Sequence, residues 1–126
     1  MGLDIFEKYQ SPLQLIDKII KQSENEITVQ KMVSSNEEYF QGHFPANPVM
    51  PGVLLVQIMI EACQALHAEN SIHLTKMNRV KFRKMIRPGD SLIVKVERKN
   101  SQKLQFIGKT MLDDKVVCSA ELEFLE

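Results

Sequence analysis

Residues 42–67, GHFPANPVMPGVLLVQIMIEACQALH, decide how this chain is read. The first part sets Pro45, Pro48 and Pro51 close together, and a proline lacks the N–H that a helix interior or a central strand would use. From Gly52 the character changes. The next residues contain no proline and few β-branched side chains after Val56, and they follow a Pro-Gly step, so a helix is predicted over Gly52–His67. It is apolar nearly all round, which predicts burial on every side rather than on one face. The polar exceptions Gln57, Glu61 and Gln64 fall at i, i+4 and i+7, and at roughly 100° per residue they make one narrow stripe.

Outward from the helix the pattern is β. On the N-terminal side, residues 13–21 (LQLIDKIIK) and 26–33 (EITVQKMV) read as a hairpin across the polar stretch Gln22–Asn25. On the C-terminal side residues 72–125 are β-like almost throughout. Val80 and Phe82 alternate with Arg79, Lys81 and Arg83, as in a half-buried strand. The turn RPGD (87–90) leads into Leu92–Val96, then Leu104–Met111, and Asp113–Asp114 sits at a hairpin position before Val116–Phe124. An antiparallel sheet wrapped around one long central helix, with most strands after the helix, is the hotdog arrangement, an α+β fold. Such sheets commonly pair edge to edge, so a dimer is expected. It would also account for a helix too apolar for a monomer's surface.

The bulk numbers agree with one domain spanning residues 1–126. The apolar fraction of 44% and charged fraction of 25% are ordinary for a globular chain. With 16 basic and 16 acidic residues there is no net bias toward nucleic acid or a membrane surface. The opening MGLDIFEKYQ mixes acids and a lysine with its apolar residues, unlike a secretory signal, and a cytoplasmic location is expected. Cys63 and Cys118 form no C-x-x-C pair and read as buried thiols. His43, His67 and His73 have no metal-ligand spacing, so no metal is expected.

His43 lies nine residues before Gly52, in a loop that its prolines would stiffen and hold over the helix N-terminus. That terminus offers unpaired N–H groups and the positive end of a dipole, suited to a developing oxyanion. Glycine at 52 would let a carbonyl approach its N–H closely. A histidine base beside such a donor is what proton abstraction next to a thioester carbonyl requires. Spacing alone leaves a turn or packing role for His43 open.

The segment GHFPANPVMPGVLLVQIMIEACQAL resembles the signature of bacterial β-hydroxyacyl-acyl-carrier-protein dehydratases, G-H-F-P-x-x-P-x-M-P-G-V-L followed by a helix. The likeness extends from about Leu13 onward, through PLQLIDKI, EEYFQGHFP, RVKFRKMIRPGDSL and DDKVVCSAELEF. It implies a hotdog hydro-lyase of fatty-acid or polyene biosynthesis, without a cofactor. His43 matches the family's catalytic histidine and Gly52 the glycine whose N–H holds the thioester oxygen. Phe44, Met50 and Val53 fall at substrate-contacting positions. The family's acid stands five residues after this glycine, where the chain has Gln57, and Glu61 stands one turn later, where the family often has Gln. Gln57 can orient a hydroxyl but has no acidic proton to give. Burial of Glu61 among Ile58, Met59 and Ile60 would favour its protonated, acid-competent form. One turn nevertheless displaces its Cα by roughly 6 Å.

Lys76, Arg79, Lys81, Arg83, Lys84 and Arg87 make the one strongly single-signed segment, with no acid between Lys76 and Arg87. It reads either as a solvated face or as a rim that steers an acidic acyl carrier protein. Three functions follow from the resemblance. The chain is an active dehydratase on carrier-bound 3-hydroxyacyl thioesters, or a half-catalytic subunit paired with an intact homologue, or a hotdog thioesterase. The complete H-F-P-x-x-P motif disfavours the last. Homodimers or larger homo-oligomers, or a heterodimer with a homologous dehydratase, are the expected assemblies.

Overall fold

The computed structural model describes residues 15–34, 50–67, 71–100 and 102–126. Strands β1 (Lys18–Gln22) and β2 (Glu26–Met32) precede helix α1 (Gly52–Leu66). Strands β3 (His73–Phe82), β4 (Ser91–Asn100), β5 (Gln105–Leu112) and β6 (Lys115–Leu125) follow it. Together they form a six-stranded antiparallel sheet in the order β1-β2-β4-β5-β6-β3.

Local chemistry sets most of the connections. Asp113 and Asp114 both adopt positive φ, 52° and 65°, the pair of values a two-residue hairpin loop needs to follow the twist of β5 and β6. In the RPGD turn Gly89 sits at φ 96°, which a side chain would resist. The Arg87 N–H donates to the Asp90 carboxylate at 2.8 Å, and the Val33 N–H donates to the Asp90 carbonyl at 2.9 Å. The turn is thereby fastened to the end of β2.

The core lies between the sheet and α1. Leu55, Val56, Ile58, Met59, Ala62 and Cys63 are buried on the helix, against Ile27 and Val29, Leu92, Val94 and Val96, Phe106, and Leu122 and Phe124 of the sheet. Phe106 and Phe124 meet edge to face, their ring centroids 5.6 Å apart. Gly108 on β5 lets the helix approach, since a Cβ there would lie 2.7 Å from Met59 Sδ.

Three differences from the sequence reading have physical causes. Among the described residues α1 is buried mainly on its sheet side, because one sheet covers one side of a helix. Val53 is 73% exposed and Gln57 is exposed. Strand β1 begins at Lys18, not Leu13; Leu15 belongs to no strand, and its N–H is taken by a side chain of α1. Residues 13 and 14 lie outside the described residues. Finally, β3 does not alternate strictly. Asn78 pairs with Glu121 and Lys81 with Ser119, so Arg79 and Val80 together face Ala120 in a β-bulge, with Arg79 at φ 53°.

Candidate active site

Helix α1 starts directly after Pro51, which occupies the N-cap position. Proline cannot donate a cap, no side chain among the described residues caps the helix, and no acid stands in its first turn. The Leu54 N–H reaches the Pro51 carbonyl at 3.0 Å. The Gly52 end therefore keeps the donor character and positive dipole of a helix N-terminus. It is held in place by the segment after β3: the Met50 N–H donates to the Ile86 carbonyl at 2.6 Å.

The sequence-derived candidates fall in distinct places. Gly52 is half-buried at the helix start and Val53 beside it is open. Met50 is turned into the core. Gln57 lies one turn after Val53 on the same outward face. Glu61 is buried instead, and its carboxylate oxygens accept the Leu15 N–H at 3.0 and 3.2 Å. Gln64 donates to the Ile72 carbonyl at 3.5 Å. The three polar residues of the stripe are thus put to different uses, and only Gln57 faces outward from the first turns of α1. His43 and Phe44 lie outside the described residues.

Lys76, Arg79 and Lys81 on β3, and Arg83, Lys84 and Arg87 after it, are all exposed. Arg79 Nη1 lies 3.7 Å from a carboxylate oxygen of Glu121. Burial pushes the Cys118 thiol up to about 11 and the Cys63 thiol higher still, so neither is a thiolate nucleophile near neutral pH. No helix among the described residues is long and apolar enough to cross a membrane.

One neighbour of the site escaped the sequence reading. The ring of Phe82, which the alternation placed only as a strand residue, rests against Gly52. Its place in the segment RVKFRKMIRPGDSL, which accompanies the helix motif in the resemblance, was the available signal.

The sheet order and the central helix define a hotdog domain. A solved structure of the dehydratase heterocomplex ApeI:P from Xenorhabdus doucetiae shares this fold, with a TM-score of 0.78 at 20% identity, over 89% of this chain and 97% of that one. An uncharacterized protein from Pyrococcus horikoshii superposes with a TM-score of 0.72 at 19% identity, over 87% and 82% of the two chains. In sequence, the ApeI-like family, described as ApeI dehydratase, matches residues 19–121. The 3-hydroxyacyl-[acyl-carrier-protein] dehydratase FabZ of Lactobacillus helveticus is 40% identical over 90% of this chain and 83% of its own length. FabZ of Fusobacterium nucleatum is 35% identical over 98% and 96%. The chain belongs to the ApeI-like family of hotdog dehydratases.

Proposed function

We propose that this chain dehydrates 3-hydroxyacyl thioesters on an acyl carrier protein to trans-2-enoyl thioesters. The observation that carries the reading is the start of α1 at Gly52, without a side-chain cap among the described residues and nine residues after His43 in an intact H-F-P-x-x-P-x-M-P-G motif. His43 takes the α-proton, the Gly52 N–H holds the thioester oxygen as negative charge develops on it, and the β-hydroxyl receives a proton, within this chain from the imidazolium formed at His43, and leaves as water. Gln57, on the outward face, orients that hydroxyl by hydrogen bonding. Phe44, Met50 and Val53 line the approach, with Met50 acting from the core side.

A second reading is favoured by a specific observation. The one acid of α1, Glu61, is engaged with the Leu15 N–H, and Gln57 has no proton of suitable acidity. The acid for the leaving hydroxyl then comes from a homologous subunit seated on the open face of α1. A homodimer supplies only a second Gln57 and Glu61; a heterodimer with a dehydratase bearing Glu at the Gln57 position completes the site. The dehydratase heterocomplex among the fold's relatives supports such an assembly.

The six exposed cations from Lys76 to Arg87 serve as the docking rim for the acidic carrier. Their effect is on encounter, so it is sensitive to salt. A Lys81→Glu/Lys84→Glu variant is expected to raise KM for the carrier-bound substrate about tenfold. It should raise KM for the N-acetylcysteamine thioester far less, and added salt should narrow the difference. Equal effects on both substrates would remove the rim from the account.

A further inference from the structure

A Cβ built on Gly52 would stand 3.0 Å from Phe82 Cε1, 3.1 Å from Cζ and 3.4 Å from Cδ1. The ring thus lies against the first residue of α1, in the space that any side chain at position 52 would need. Phe82 pairs with Cys118, a fully buried residue of β6, and so shares the helix side of the sheet. The bulge at Arg79 and Val80 puts it there. Side chains alternate faces along a strand, so without the extra residue Phe82 would fall on the outer surface. A non-glycine residue at φ 53° is a costly conformation, retained here directly after the outward-facing Asn78 and three residues before Phe82. Yet the ring is 51% exposed, so it does not behave as an ordinary core residue. Val53, the helix residue after Gly52, is 73% exposed, and Met85 just beyond Phe82 is 63% exposed. Among the described residues an apolar surface therefore surrounds the N-terminal end of α1 and is left partly open.

We infer that Phe82 is a positioning and specificity residue of the dehydratase site. Its ring shields one side of the Gly52 N–H from water, and its exposed face is the wall that receives the first carbons of the acyl thioester. The inference rests on Gly52 being the oxyanion donor. A donor in a drier setting acts more strongly on developing charge and needs less reorganisation when the charge appears. The ring also accounts for glycine at 52 in a second way, since a methyl group there must displace it.

The test uses wild type, Phe82→Ala, Phe82→Leu, Phe82→Tyr, Gly52→Ala and the Gly52→Ala/Phe82→Ala double variant. Two readouts are taken: turnover of a 3-hydroxyacyl N-acetylcysteamine thioester, and affinity for the 3-hydroxyacyl pantetheine amide, which binds without reacting. Phe82→Ala is expected to lower kcat about 10–100-fold, a loss of the size that misplacement of a reacting group produces. KM should change less than kcat, amide affinity should fall several-fold, and the melting temperature should move little because half of the ring is already in solvent. Tyrosine should restore most of the loss and leucine part of it. In the double variant the two losses should not add, because both act on the same contact. Wild-type kcat and amide affinity in Phe82→Ala would overturn the inference, as would a loss that only tracks the folded fraction, or strict additivity. A wild type that binds the amide in a Phe82-dependent manner but dehydrates nothing, alone or with a partner, sinks the dehydratase reading and keeps Phe82 as the wall.

Discussion

Replacing His43 with alanine is expected to abolish dehydration, whereas His67→Ala and His73→Ala should leave most of it. Of the three histidines only His43 lies next to the Pro-Gly start of α1 in sequence. His67 closes the opposite end of the helix, where its N–H reaches the Cys63 carbonyl at 3.1 Å. Fifteen helical residues separate that end from Gly52, roughly 22 Å of helix axis. His73 opens β3 and is exposed, at the other end of the strand from Phe82. A base at either position cannot reach a substrate whose carbonyl sits on the Gly52 N–H. Loss of a positioned base costs roughly 10²–10⁴-fold in rate. Steady-state rates of the three variants, with circular dichroism to confirm folding, check the assignment. Full activity in folded His43→Ala protein would remove the histidine from the mechanism.

The second large effect concerns the acid. Wild-type protein by itself is expected to turn over slowly, and Gln57→Glu is expected to raise the rate by about 10²–10⁴-fold, the size of a general-acid contribution. The new carboxyl would project from the outward face of α1, one turn from Gly52 and clear of the core. Glu61→Gln should change the rate little, because an amide oxygen at 61 can still accept the Leu15 N–H that the carboxylate now holds. Glu61→Ala should instead destabilise the protein by about 1 kcal/mol, the cost of leaving a partly buried donor without its acceptor. The gain in Gln57→Glu is tempered by the nearby Glu61. Two carboxyl groups one turn apart on a largely apolar helix do not both ionise cheaply, and the one left protonated is the form that donates. If Glu61→Gln were to abolish an active wild type, the acid would be Glu61, and its bond to Leu15 would have to open during turnover.

The parts of the fold set by neighbouring residues were legible in the sequence. Pro51–Gly52 starts the helix, Asp113–Asp114 makes the β5–β6 hairpin, and Arg87–Asp90 forms the turn before β4; each depends on the conformational preference of one or two residues. Contacts between distant residues were not legible. Glu61 and Leu15 are 46 positions apart, and nothing in either segment says that one holds the other. The bulge at Arg79 and Val80 is equally hidden, because arginine does not advertise a positive φ and the apolar alternation around it looks regular. Its consequence, Phe82 lying on Gly52, follows only once both β3 and α1 are in place. The helix is apolar all round in sequence, but its open face becomes visible only when the sheet is seen to cover the other side.

The most direct test of the central claim is the product formed from a 3-hydroxyacyl-acyl carrier protein, identified by mass spectrometry. The purified chain would be assayed alone and mixed with a homologous dehydratase subunit that bears Glu at the position of Gln57 and lacks its own histidine. The expected product is a trans-2-enoyl thioester still attached to the carrier, formed slowly by the chain alone, faster in the mixture, and not at all when His43 is replaced. Release of the free acid, or unchanged 3-hydroxyacyl carrier in both settings, would contradict it.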